Sequence, residues 1–330
     1  MVCSRGSHRG PHHVLSVDYQ GARVSVFEEL RSVRSSKTTG KRDNKAAFFF
    51  LLPWLLGFIC ITAGPMIASL WISVTNYNLI QAPSFVGAQN YIRMFQDPRL
   101  LNSLRVTFEY VFVSVPIQLI LALALALLLD RGMRALPFYR SVFYLPSLLG
   151  SSVAVAILWR QIFGQGGLVN QVLGLIGLHN MPGWISDPQW ALGTIILLNV
   201  WTFGAPMIIF LAGLRQIPDM YYEAASIDGA GRWRRFFSIT LPMLSPIIFF
   251  NIILQLIGAF QSFTQAFVVS GGTGGPSDST MFYSLYLYQQ GFNQFDMGYA
   301  SAMAWLLFII IAIITAVTFV TSKYWVFYDN

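Results

Sequence analysis

Between Ala46 and Ile92 the chain carries no lysine, arginine, aspartate or glutamate. The apolar part of that stretch, Phe48 to Val74, exceeds the roughly 20 residues a helix needs to cross a bilayer core. Five more apolar runs follow: Thr107 to Leu129, Val142 to Phe163, Trp190 to Leu214, Pro246 to Ser270 and Tyr299 to Val320. Inside hydrocarbon a backbone N–H or C=O finds no water, so only helices and closed barrels can span it. These runs are continuously apolar and lack the short alternating pattern of barrel strands. The expected fold is therefore all-α: a polytopic membrane helix bundle of six transmembrane helices.

Composition agrees. Of 330 residues 55% are hydrophobic and only 11% charged, against about 25% charged in a soluble domain. The net charge of +7 does not indicate nucleic acid as a partner, because the basic residues sit in short segments between apolar runs. Cys3 and Cys60 make neither a disulfide framework nor a metal motif. His8, His12 and His13 lie near Cys3, but the first 45 residues read as a disordered or tag-like tail. That tail has no early apolar region of a secretory signal. No metal site and no catalytic constellation is expected anywhere in the chain.

Charge sets the orientation. The N-terminal tail, the segment with Arg131, Arg134 and Arg140, the segment with Arg215, Arg232, Arg234 and Arg235, and Lys323 together hold 17 of the 21 basic residues. The alternate segments hold Arg93, Arg99, Arg105 and Arg160, and the stretches 164–189 and 271–298 hold no basic residue. The positive-inside rule then places both termini in the cytoplasm. Trp71, Trp159, Trp184, Trp190 and Trp325 fall near the expected interfaces, as an aromatic belt would. Pro53, Pro65, Pro116, Pro146 and Pro206 lie in or beside the runs, which suits a bundle that changes shape and equally an ordinary one.

The segment between the fourth and fifth runs is too long for a connector. From Gly213 it reads GLRQIPDMYYEAASIDGAGRWRRFFSITLPMLSP. Pro218 and Asp219 suit a helix start, the acid favouring the positive helix end. A helix of about two turns follows from Met220 to Asp228, ended by Gly229 and Gly231. Arg232 to Ile239 reads as a second amphipathic stretch before Leu241-Pro242 and Pro246. From physics alone, an amphipathic helix lying on anionic lipid explains this segment as well.

Glu223-Ala224-Ala225, Asp228-Gly229-Ala230, then Phe236, Ile239, Leu241 and Pro242, with Ile217-Pro218 before them, resemble the EAA loop of ABC importer permeases. The likeness is to the carbohydrate-uptake group. FYRSVFYLP (138–146) resembles that family's start of the third span, and GGTGGPSDS (271–279) its turn after the fifth. In all the resemblance covers Phe48 to Tyr328. The long first loop and the ending Trp325-Val326-Phe327-Tyr328 look like the first permease of the usual pair.

The resemblance implies a type I importer permease with a cytoplasmic coupling helix. Glu223, Ala224, Ala225, Asp228, Gly229 and Ala230 would seat in a groove of an ATPase. Glu223 would serve as the anchor, the alanines would allow close approach, and Gly229 would make the turn. The implied partners are a second homologous permease subunit, two cytoplasmic ATPase subunits, an extracytoplasmic solute-binding protein and a sugar or oligosaccharide, in a bacterial or archaeal cytoplasmic membrane. The chain has no phosphate loop of the GxxxxGK[ST] type. It is not expected to be an enzyme or to bind a cofactor, and ATP with magnesium belongs to the ATPase. The expected layout is a tail (1–45), a first span with an external loop (46–101), a permease core (102–322) containing the EAA loop (213–246), and a C-terminal tail (323–330).

Polar side chains in spans are candidates for the sugar path: Asn199, Asn251, Gln255, Gln261 and Gln265, interleaved with Phe260 and Phe263. Asn251, Gln255 and Ser262 fall near one helical face. The other reading is that these groups bond to neighbouring helices; Gln118 and Thr107 read as structural. Two alternatives to a sugar permease stay open: an importer permease for a solute such as a glycerol phosphate, or a secondary transporter. The latter would carry mid-span acids or bases for ion coupling, and the runs have none near their centres.

Overall fold

The computed structural model describes residues 40–130, 135–178 and 181–327, with side chains from 48 onward. Cys3, the tail histidines, Arg131, Arg134, His179 and Tyr328 lie outside the described residues. The chain divides into residues 1–67 and 68–330. A first helical run, α1 (Gly40–Gly57), passes through a π-helical turn, Phe58–Ala63, into α2 (Gly64–Ser73), whose last residues belong to the second unit. Its apolar side chains stand outward, Phe49 and Ile61 among them, and Trp54 stacks on Phe58 at 5.6 Å. Cys60 is free and exposed.

The larger unit contains α3 (Gln89–Gln96), α4 (Pro98–Asp130), α5 (Leu136–Leu149), α6 (Val153–Ile162), α7 (Leu168–Leu175), α8 (Ala191–Trp201) and α9 (Gly204–Leu214). Then follow α10 (Asp219–Ile227), α11 (Arg232–Arg235), α12 (Leu241–Phe260), α13 (Thr264–Val269), α14 (Tyr283–Tyr288) and α15 (Met297–Ser322). Among the described residues the one extended pairing is an isolated bridge between Thr75 and Phe85.

Four helical runs are long and apolar enough to cross a membrane: Phe48–Ser73, Pro98–Asp130, Arg232–Phe260 and Met297–Ser322. Two bent pairs raise the number to six if each is one span: α5 with α6, bent by 95°, and α8 with α9, bent by 41°. Val142–Phe163 and Trp190–Leu214, each expected as a single apolar span, are both interrupted. The breaks fall at Gly150-Ser151-Ser152 and at Thr202-Phe203, where backbone groups released from the helical ladder find other partners.

α4 is the axis of the unit. It begins with Asp97 as cap, whose Oδ1 accepts from the backbone N–H of Arg99 (3.0 Å) and Leu100 (3.2 Å). Pro98 follows in the first turn, where its missing N–H costs nothing. Ser114, Ala122 and Ala126 are fully buried along α4, as are Tyr110 and Val111. Small residues suit this position, because lipid supplies no hydrophobic drive between helices and close packing must hold them together. α8, α9, α12 and α14 pack around it.

The fifth apolar run differs from its expected bounds. The amphipathic stretch from Arg232 is not a separate helix: α11, a π-turn (Phe236–Thr240) and α12 form one helical run that ends at Phe260 instead of Ser270. Pro242 and Pro246 lie within this run without ending it.

Candidate functional site

The loop between α9 and α12 forms a compact, exposed device. Pro218 enters α10 in extended conformation (φ −62°, ψ 134°), and Asp219 supplies the first-turn acid. The helix ends in a Schellman motif: Gly229 is left-handed at φ +71°, its N–H donates to Ser226 O (3.1 Å), and Ala230 N–H donates to Ala225 O (2.9 Å). Both bonds and the positive φ require a residue without a Cβ penalty at position 229. Arg235 Nε then donates to Ala230 O (2.9 Å), and Tyr222 and Thr240 share a hydroxyl bond (2.9 Å), so α10 is fixed against the helix that follows.

Glu223, Ala224, Asp228 and Gly229 are exposed on this loop, and Ala225 and Ala230 are half-buried. Met220 is 66%, Ile227 87% and Trp233 77% exposed. A cleft of about 200 Å³ lies between the two arms, walled by Asp228, Arg234 and Arg235. Before the loop, Arg215 reaches Asp130 at 3.6 Å.

The span polar residues divide into two groups. The first sits where the two helix breaks meet. Thr202 O accepts from Gln118 Nε2 (3.2 Å) and from Ser147 Oγ (2.9 Å), and Ser147 Oγ accepts from Ala205 N–H (2.8 Å). Asn199 Nδ2 donates to Gln118 Oε1 (3.4 Å), and Gln265 Nε2 donates to Gly150 O (3.4 Å). Thus Asn199 and Gln265, far apart in sequence, serve one polar hub with Gln118, Ser147 and Thr202. Periodicity did not reveal Ser147 and Thr202, because the breaks that gather them are tertiary.

The second group is not gathered. Asn251 is fully buried, with Nδ2 on Ile247 O of its own helix (3.1 Å) and Oδ1 buried without a partner. Gln255 is half-buried one turn on. Phe260 is in the core, edge-on to Phe108 at 5.3 Å. Since α12 ends at Phe260, Gln261 and Ser262 do not continue its face. Gln261 is exposed, and Ser262 Oγ donates to Gln265 Oε1 (3.2 Å). Phe263 opens an aromatic run absent from the sequence reading: it meets Phe267 (5.3 Å) and Tyr288 (5.2 Å), and Tyr288 stacks on Phe292 (5.1 Å).

At the opposite end of the unit, Asp97 Oδ2 accepts from Tyr286 Oη (2.6 Å) and Tyr299 Oη (2.8 Å). Arg93 pairs with Asp296 (2.6 Å) and lies over the Tyr299 ring; Arg99 pairs with Asp278 (2.9 Å) and lies over Tyr286. Burial alone would push the Asp97 carboxyl up, but the phenol and backbone donors outweigh it and hold it below the usual carboxylate value.

Long apolar helices, a polar hub at paired helix breaks and an exposed, capped loop define a membrane transport subunit. Residues 98–325 match the family described as the binding-protein-dependent transport system inner membrane component, and the chain belongs to that family. It is 51% identical over 94% of its length, and 98% of the relative's, to the probable ABC transporter permease protein YesP of Bacillus subtilis (strain 168). It is 36% identical over 72% of its length, and 81% of the relative's, to the lactose transport system permease protein LacF of Rhizobium radiobacter. A chain in the crystal structure of a bacterial alginate ABC transporter, in complex with an alginate pentasaccharide-bound periplasmic protein, superposes with TM-score 0.71. That match covers 86% of this chain and 95% of the other. At 21% identity this likeness speaks for the fold.

Proposed function

We propose that this permease is one of two membrane-spanning subunits of an ATP-driven importer for a sugar or oligosaccharide. In this reading each bent pair is one span, six spans cross the membrane, and both termini are cytoplasmic. The second permease subunit completes the pathway, an extracytoplasmic binding protein delivers the solute, and two ATPase subunits dock from the cytoplasm and bind the ATP and magnesium. α10 is the coupling helix. The observation that carries the reading is the exposed, Schellman-capped α10 bearing Glu223-Ala224-Ala225, tied by Arg235 and Tyr222 to a helical run that continues to Phe260. The sugar relatives support the solute class.

A small rigid knob suits coupling. Closure of two ATPase subunits displaces whatever is seated in them, and the displacement reaches the membrane only through a stiff element. Glu223 is exposed, so no packing demand in the membrane explains it. Glu223→Lys reverses an anchor charge, and Gly229→Val forces a β-branched residue into the left-handed turn. Both variants are expected to insert normally and to lower substrate-stimulated ATP hydrolysis by the reconstituted complex at least about tenfold, a loss of roughly 1.4 kcal/mol of coupling. ATPase co-purification and hydrolysis at parental levels in both variants would sink the coupling assignment.

A further inference from the structure

α15 is a span of 26 residues, roughly 39 Å long at about 1.5 Å per residue. The hydrocarbon core is about 30 Å thick, so the end turns of α15 stand in the headgroup layers. Its first turn is tied to two other elements. Asp296 caps it, accepting from Tyr299 N–H (3.2 Å), and pairs with Arg93 of α3 at 2.6 Å. Gly298 N–H donates to Tyr77 O (3.0 Å), just past the end of α2. α3 is pinned to that end as well. Buried Asn90 donates to Ser73 O (2.9 Å) and Thr75 O (2.8 Å), and Tyr91 shares a hydroxyl bond with Ser73 (2.9 Å). The eight residues of α3 are therefore held at headgroup depth.

Successive side chains of a helix turn by about 100°, and this sorts α3 into three faces. Asn90 and Met94 are buried against the protein. Next round the circle come Tyr91, Phe95 and Ile92, with Phe95 81% and Ile92 56% exposed. Gln96, Gln89 and Arg93 close it, all exposed. A helix between protein and water needs only two faces, one turned to the core and one polar. The apolar arc of Phe95 and Ile92 belongs to neither, and at this depth the third medium is lipid. The level is marked again by Trp71 in the last turn of α2, which is exposed and stacks at 6.0 Å on Phe85, exposed as well, as rings of an aromatic belt do. No charge occurs from Ala46 to Ile92, and that of Arg93 is taken up by Asp296, so no free charge on α3 holds the arc in water.

We propose that α3 is an interfacial anchor, lying in the headgroup layer with Ile92 and Phe95 in phospholipid and Gln89 and Gln96 in water. The partner is the lipid surface itself. The proposal rests on α15 crossing the membrane and on nothing about the solute. Its consequence is mechanical. α4 starts at Pro98, directly after α3 and Asp97, so the anchor holds the start of the central helix at a fixed depth while other parts move.

The test uses the intact importer, freed of native cysteines by changes that include Cys3→Ser and Cys60→Ser, in vesicles of phosphatidylethanolamine and phosphatidylglycerol. A nitroxide is placed singly through Ile92→Cys, Phe95→Cys, Gln89→Cys and Gln96→Cys. Its collisions with oxygen, which concentrates in lipid, and with a water-soluble nickel chelate are read from power saturation. The oxygen-to-nickel ratio should be at least about threefold higher at Ile92 and Phe95 than at Gln89 and Gln96, because the apolar face of such a helix sits about 5–10 Å into the headgroup boundary. Ile92 and Phe95 share the arc, so either suffices if the other variant fails to accumulate. Equal ratios at all four positions overturn the proposal. Labels at Ile92 and Phe95 that are immobile and reached by neither reagent overturn it too, and assign the arc to a protein partner. Solute uptake by the same vesicles reports on the importer reading separately.

Discussion

Asp97 joins three elements through one carboxylate. It caps α4, receives a phenol from α14 and another from α15, and so fixes the start of the central helix to the end of the bundle. Asp97→Ala removes four accepted hydrogen bonds and should lower the melting temperature of the purified complex by several degrees, for about 1–3 kcal/mol. The sign with pH follows from its lowered pKa. The contribution is complete above the unfolded value, about 3.9, and disappears as pH falls through the still lower folded value. The difference in melting temperature between parent and variant should therefore hold from neutral pH to about pH 4 and shrink only below it. A difference that shrinks already between pH 7 and 5 would contradict the assignment. This residue was not legible in the sequence: an Asp before a Pro reads as a helix cap, but its tyrosines lie 189 and 202 positions away. Gly229 was legible, because its role is local. A glycine after a short amphipathic helix dictates its own conformation, and it is left-handed here at φ +71°.

Among the elements, the broken pairs carry the most information. A Cβ on Gly204 would stand 2.2 Å from Phe143 O, and one on Gly150 would stand 2.1 Å from Thr202 Cγ2. The two breaks are thus packed into each other at near backbone contact. Neither break was anticipated: glycine and proline are common in membrane helices generally, so their presence did not distinguish a bend from a straight crossing. Gly204→Val meets backbone, which cannot yield as a side chain can. It should cost about 1–3 kcal/mol and abolish transport, with the protein still reaching the membrane. Gly258→Ala, where no atom lies within 4 Å of the added Cβ, is the matched control and should be silent. Equal transport in the two variants would show that the breaks do not need their close approach. The existence and order of the long apolar runs were legible, since a hydrocarbon environment dictates length and composition, but their ends were not, the second starting nine residues earlier and the fifth ending ten residues earlier than expected; the polar hub was not, since nothing local ties Asn199 to Gln265.

At the scale of the whole molecule, the distribution of arginine separates two faces. Reporter fusions at Asn330 and within 271–278 should report opposite sides of the membrane, as the positive-inside count requires. Finding both on one side would overturn the orientation, and with it the assignment of α10 to the ATPase. The run Arg232–Phe260 spans 29 residues without a break, roughly 44 Å at about 1.5 Å per residue. It carries the loop at one end and delivers the chain to the polar hub at the other. Such a rod has a phase as well as a length. One residue added or removed within it would turn α10 by about 100° relative to the face that α12 presents to α4, so that loop and pathway would each be well formed and wrongly aimed at one another. The segment between α7 and α8 is under no such constraint, because no helix runs through it to carry the rotation. Over evolutionary time this family should therefore be free to change length on its outer loops and held to a fixed count between Arg232 and Phe260, with drift there occurring by substitution alone.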